Sequence, residues 1–244
     1  MAGHNKWSQI KRAKGAADVK RGKIFSKLAR ELFIAAKEGG GDPDLNARLR
    51  MVIVKCKAAN MPADNLERAI AKATGGGDGV VFDELTYELF GPGGVAIFAE
   101  ISTDNRNRTA ADMRQIAGKN GANIATTGAV TRLFQRKGQV IIARENANEE
   151  ELMGLAIEAG AEDFIADEHG YEILADPAHF EAVHAKIEEK NIPCEVAEVT
   201  HLPLIRTPMP DEESTKMLHR LIELLEDHDD VRSLHHNAEL PDDS

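Results

Sequence analysis

Apolar residues recur every three or four positions along the first seventy-five residues, and the period then shortens towards two. The chain thus begins as helices and continues as mixed strands and helices. The strongest helical signal is KRGKIFSKLARELFIAAKE at 20–38. At about 100° per residue, Ile24, Phe25, Leu28, Ala29, Leu32, Phe33, Ala35 and Ala36 share one broad face. Lys20, Lys23, Lys27, Arg30 and Lys37 stack opposite. Gly39-Gly40-Gly41 ends the helix, because glycine adopts the left-handed cap conformation at no steric cost. A second apolar face follows on Leu45, Leu49, Val52, Ile53 and Cys56, and PADNLERAIAKA predicts a third helix with Pro62 suited to its start. TGGGDG at 74–79 reads as a linker. These features predict a basic helical domain over 1–75 and a linker over 76–83 that lets it move as a unit.

Beyond the linker, DELTYELF and VAIFAEIS predict strands joined by the turn Gly91-Pro92-Gly93-Gly94. Asp104 and Asn105 can cap a helix NRTAADMRQIAGK. GAVTRLFQRKG and QVIIAR predict two strands separated near Gly138. A helix (NEEELMGLAIEAG), a strand pair (EDFIAD, YEILA), a helix (PAHFEAVHAKIEEKN) and a strand (CEVAEVTHL) follow, then helix DEESTKMLHRLIELLEDH and strand VRSLHH. Residues 139–201 therefore run β-α-β-β-α-β, a complete ferredoxin-like succession. The flanking pieces are incomplete, β-β-α-β at 84–136 and α-β at 212–236. The economical arrangement is a discontinuous α/β domain, 84–136 with 206–240, into which a ferredoxin-like α/β domain, 137–205, is inserted; the loop EVTHLPLIRTPMP is the return path. The alternative is two sequential domains with the last helix packed outside. The expected class is α+β multidomain, a small all-helical N-terminal domain plus two mixed α/β domains.

Charge sharpens this division. Of the 244 residues, 42 % are apolar and 29 % charged, ordinary for a globular chain, yet the net charge is −11. Residues 1–78 hold 16 Lys and Arg against 8 Asp and Glu, net +8; residues 79–244 hold 14 against 33, net −19. Nine of the cations lie within 4–30, where Asp18 is the only acid. Such clustering predicts contact with nucleic acid or another anionic surface by one end. The plainer reading is a solvated charged face. With 5 % aromatic residues and a single tryptophan, Trp7, a broad stacking surface for single strands is not expected. Trp7 itself can stack on a base or pack against the helical domain, and packing is the commoner role. No run of 18 apolar residues or secretory h-region exists, so no membrane partner and a cytoplasmic location are expected. Cys56 and Cys194 read as reduced core thiols.

No HExxH, CxxC, GxSxG, GxGxxG or Walker A pattern occurs, so no catalytic residue, cofactor, metal or small-molecule substrate is predicted. His235-His236 can bind a metal only with distant partners, since adjacent strand side chains point to opposite faces. The acidic run Glu226, Asp227, Asp229, Asp230 lacks the alternating ligands and central glycine of a calcium loop and reads as a solvated helix end. Asp104-Asn105-Arg106-Asn107-Arg108-Thr109, where strand meets helix, allows two readings. Arg106 and Arg108 can hold an anion or RNA phosphate at the helix N-terminus, or the segment is a capped turn with arginine–carboxylate pairs.

MAGHNKW, KRGKIFSKLAREL, the GGGDP-N-RL stretch, NMPADNLERAI, Tyr87-Glu88 with GPGG, DNRNRT, GAEDF and LLEDHDDV together resemble the YebC/PmpR family over essentially the whole chain. Asn5 stands where relatives usually have Ser or Thr, and Arg12-Ala13 where many are more basic. The resemblance implies a helical N-terminal domain and two mixed α/β domains, one inserted in the other, without enzymatic activity. It implies a cytoplasmic, DNA-binding regulator of transcription, or a ribosome-associated factor that relieves stalling, for example at consecutive prolines. A protein-interaction scaffold is the third alternative. In the nucleic-acid readings, Lys6, Lys11, Arg12, Lys14, Lys20, Arg21, Lys23, Lys27 and Arg30 contact the phosphates of DNA or ribosomal RNA.

Overall fold

The structure, a computed structural model, describes residues 18–75 and 81–240, with side chains from Arg21 onward in the first stretch. These residues form two compact units: 18–75 with 136–200, and 81–135 with 201–240.

The first unit opens with helices α1 (Asp18–Gly39), α2 (Ala47–Ala58) and α3 (Ala63–Thr74). Leu32, Ala35 and Ala36 of α1 bury against Leu49, Val52 and Cys56 of α2 and against Met61. Among the described side chains of α1, the buried ones all lie in its second half. Ile24, expected on the apolar face, is exposed, and Ile34, outside that face, is buried. The turn out of α1 rests on its glycines. Gly40 has φ +88°, and a Cβ on Gly39 would stand 2.6 Å from Asn46. Asn46 occupies that space because it holds both helix ends: it accepts the Leu49 N–H and donates to the carbonyls of Ala35 and Gly40.

The α/β part of this unit is built from β4 (Phe134–Ala143), α5 (Glu149–Glu158), β5 (Asp163–Ala166), β6 (Gly170–Ala175), α6 (Phe180–Glu189) and β7 (Val196–Pro203), with sheet order β5-β6-β4-β7. Val140, Ile142, Tyr171 and Ile173 from the sheet pack with Leu152, Phe180, Val183 and Ile187 from the helices.

In the second unit, β1 (Asp83–Phe90), β2 (Ala96–Thr103), α4 (Arg106–Lys119), β3 (Asn123–Ile124), α7 (Glu212–Glu226) and β9 (Val231–His236) form a sheet ordered β3-β1-β2-β9 with two helices. Ile97, Ala99 and Ile101 pack with Met113 and Ala117 of α4 and Leu218, Leu221 and Leu225 of α7. Alternation along β2 sends Ala96 and Phe98 to the other face, where they meet Val130 and Phe134.

Three expectations change. The 128–138 segment is not a strand of the β1–β2 sheet: residues 131–133 form a 3₁₀ turn, and β4 belongs to the sheet of β5, β6 and β7. Gly138 does not separate two strands but lies inside β4, where a Cβ would press to 2.7 Å from Phe180; the missing side chain makes room for that ring. The return segment holds β8 (Thr207–Pro208), paired in parallel with β10 (Ala238–Glu239). Residues 18–75 share a compact unit with 136–200, and residues 76–80 of the expected linker lie outside the described residues.

Candidate nucleic-acid interface

Among the cations singled out by sequence, Arg21, Lys23, Lys27 and Arg30 are described, and all lie on α1. Arg21 is exposed; Lys23, Lys27 and Arg30 are half-buried. Lys20 belongs to the same helix, its side chain outside the described set. Lys6, Lys11, Arg12, Lys14 and Trp7 lie outside the described residues. Positions 23, 27 and 30 repeat at helical spacing, which brings their side chains to one side of α1.

The carboxylates of α1 are turned elsewhere. Glu31 pairs with Lys55 of α2 at 3.6 Å, and Glu38 with Arg48 at 2.5 Å. Lys37 lies over the Phe33 ring, 5.5 Å from its centroid. Glu31 and Glu38 are thus engaged by cations of the neighbouring helix.

Helix α2 uses its cations within the unit. Arg50 forms a two-pronged pair with Glu181, Nε to Oε1 at 3.2 Å and Nη2 to Oε2 at 3.1 Å. Lys57 pairs with Glu188 at 3.7 Å, and Lys55 reaches Glu198 at 3.8 Å. Arg50 and Lys57 stand seven residues apart, as do Glu181 and Glu188 on α6. Two turns of helix separate each pair, so one face of α2 matches one face of α6 in the same direction. This role was not singled out from sequence; the matched seven-residue spacing of opposite charges was its signal. Beside these pairs a cavity of about 240 Å³ is lined by Val54, Lys57, His184, Glu188, Asn191 and Cys194. Burial, followed by the charge of Glu188, pushes the Cys194 thiol up to about 11. Burial and the nearby Glu31 charge push Cys56 to about 12. Neither thiol is activated as a nucleophile.

The turn into α4 is capped and matched. Asn105 accepts the Arg108 N–H at 3.1 Å. Arg106 pairs with Asp83 at 2.8 Å. Arg108 donates to Asp104 and to Asp230, each at 2.9 Å. Asp230 is 3 % exposed and also accepts from the hydroxyls of Thr109 and Thr103. Burial raises its carboxyl, but the bonds from Arg108 and Thr109 outweigh that and hold it below the ordinary range. Asp230 is therefore no part of a solvated acidic end: Arg108, brought close by β2–β9 pairing, gives it a partner across the fold.

Glu88, also unforeseen, is a structural anchor. It is 4 % exposed and accepts the backbone N–H groups of Gly128, Val130 and Thr131 at 2.6, 2.6 and 3.0 Å. It ties the segment after β3 to the sheet. Among the described residues, no helix is long and apolar enough to cross a membrane.

A family model described as the TACO1/YebC protein N-terminal domain matches residues 5–76, and one described as the TACO1/YebC second and third domain matches residues 82–238. A probable transcriptional regulatory protein of Desulforapulum autotrophicum is 49 % identical over 243 residues, covering 100 % of this chain and 98 % of that protein. One of Geobacillus thermodenitrificans is 50 % identical over 241 residues, covering 98 % of this chain and 97 % of its own. The crystal structure of a conserved hypothetical protein from Aquifex aeolicus superposes with a TM-score of 0.82 at 40 % identity, over 93 % of each chain.

Proposed function

From the premise that the chain belongs to the TACO1/YebC family, whose members are non-catalytic regulatory proteins of transcription and translation, we propose that it is a nucleic-acid-binding regulator, acting on DNA in transcription through the basic side of α1 and the residues before it. The observation that carries this reading is that Lys23, Lys27 and Arg30 share one side of α1, in a segment of net +8. Glu31 and Glu38 of the same helix pair with Lys55 and Arg48 of α2. Phosphate contacts of this kind position a protein without reading sequence. The two matched family segments meet at the linker, and the two sheet orders support a discontinuous domain over 84–136 and 206–240 with a ferredoxin-like unit over 137–205 inserted in it.

A second reading is contact with ribosomal RNA. It is favoured by the net −19 of residues 79–244, which repels a long duplex and confines contact to one end. RNA is recognised through shape and phosphate without a base code, and α1 offers no row of Asn and Gln for base edges.

The test titrates wild type and the K20Q/K23Q/K27Q/R30Q variant against duplex DNA and against ribosomes at several salt concentrations. Glutamine keeps the helix. The variant is expected to bind more weakly, with a salt slope shallower by about 3 log units per log of salt on the physiological target. Loss on DNA alone supports the first reading, and loss on ribosomes alone the second. Equal affinities and slopes on both targets would reduce the basic side of α1 to a solvated face.

A further inference from the structure

The His235-His236 pair finds distant partners in the fold. In the β2–β9 ladder, His235 stands opposite Phe98 and Ser233 opposite Glu100. Glu100, Ser233 and His235 therefore share the face that Phe98 occupies, while His236 points to the other. His201, near the end of β7, comes to the same place. Its ring lies edge-on to Phe98 at 5.0 Å and to His235 at 5.1 Å between centroids. One carboxylate oxygen of Glu100 and one ring nitrogen from each of His201 and His235 all lie within 4.8 Å of one another. The His235 side chain is 10 % exposed; its Nε2 stands 3.6 Å from Glu100 Oε2 and has no hydrogen-bond partner among the described residues.

We propose that Glu100, His201 and His235 form a site for a divalent transition-metal ion of the Zn²⁺ class. Two imidazoles with one carboxylate make a three-ligand zinc set, with a fourth position for water. Imidazole nitrogen selects against Mg²⁺ and Ca²⁺, which take oxygen ligands. Bonds of about 2.0–2.2 Å require the three donors to draw together by roughly an ångström, within the reach of side-chain rotation. The surroundings fit a held ligand set. Phe98 stacks on His235 at 4.6 Å, and the Ser233 hydroxyl bonds the Glu100 carboxylate, an outer contact of the kind that fixes a ligand's orientation. The Arg232 guanidinium lies 3.2 Å from Glu100 and opposes a second cation there. It is also held by Glu84 at 2.7 Å, so it keeps a carboxylate partner when Glu100 turns to the metal. The ligands lie at positions 100, 201 and 235, so the ion ties together three distant passages of chain and stabilises the folded protein by mass action.

The experiment uses the full chain freed of metal with a chelator, then titrated with Zn²⁺, Co²⁺ and Mg²⁺. The expected result is one Zn²⁺ per chain, a raised melting temperature, the visible absorption of four-coordinate Co²⁺, and no response to Mg²⁺. H201Q is expected to lose at least about tenfold in zinc affinity, whereas H169Q, at an exposed histidine elsewhere, keeps the wild-type value. Should H201Q fail to fold, histidine-ring NMR of the wild type decides the matter, with zinc expected to shift the rings of His201 and His235 first. Substoichiometric zinc, equal affinity in folded H201Q, or first shifts at other histidines would overturn the proposal.

Discussion

Helix α1 and the turn into α4 are both rich in cations, and both are candidates for nucleic-acid contact. They differ in where their carboxylates go. At the turn, Arg106 meets Asp83, and Arg108 meets Asp104 and the buried Asp230. Its charge is matched within the fold. On α1, Glu31 and Glu38 pair with Lys55 and Arg48 of α2, and the basic side belongs to a segment of net +8. A cluster of arginines or lysines thus carries no functional meaning until the carboxylates around it are located.

The largest expected effect comes from removing a carboxylate at the matched site. Asp230→Ala strips Arg108 and two threonine hydroxyls of a 3 % exposed acceptor and should cost about 3 kcal/mol in a denaturant melt. A cost below about 1 kcal/mol would contradict the matching of charge at the turn. Next, R106A/R108A should lower the melting temperature while leaving the nucleic-acid affinity of the folded protein unchanged, the reverse of the four-glutamine variant of α1. Lost affinity with unchanged melting would make the turn an anion site after all.

Acid titration sharpens the contrast further. The Asp230 carboxyl is held below its ordinary value of 3.8, so its contribution to stability is complete above that value and is lost as the pH falls through the lower, folded value. Glu88 shifts in the same direction: burial raises it, and the N–H groups of Gly128, Thr131 and Val130 more than offset that. The stability gap between wild type and Asp230→Asn isolates the first group and should narrow as the pH drops below 3.8; a constant gap would contradict the charge pairing. The smallest effect belongs to the α2–α6 pairs. Arg50→Ala and Lys57→Ala remove partly exposed partners of Glu181 and Glu188, and each should cost less than about 1 kcal/mol, falling with added salt.

Local features were legible because local chemistry produces them. The strands at 83–90 and 231–236 follow from alternation, the start of α4 from the Asn105 side chain, and the stop of α1 from glycines beside Asn46. The uneven charge, the absence of catalytic motifs and the family motifs were equally open to reading. The remainder depended on which faces meet. Gly138 reads as a break until Phe180 is seen against it, and Ile24 and Ile34 exchange their expected roles, the first exposed and the second buried. Asp230 reads as a solvated acid until Arg108, 122 residues earlier, is brought to it. Periodicity, caps and turn residues act over a few positions, so sequence alone determined the elements and their charge. Tertiary structure decided which charges are matched and which histidines meet, because strand register and helix docking bring together residues with no local influence on one another.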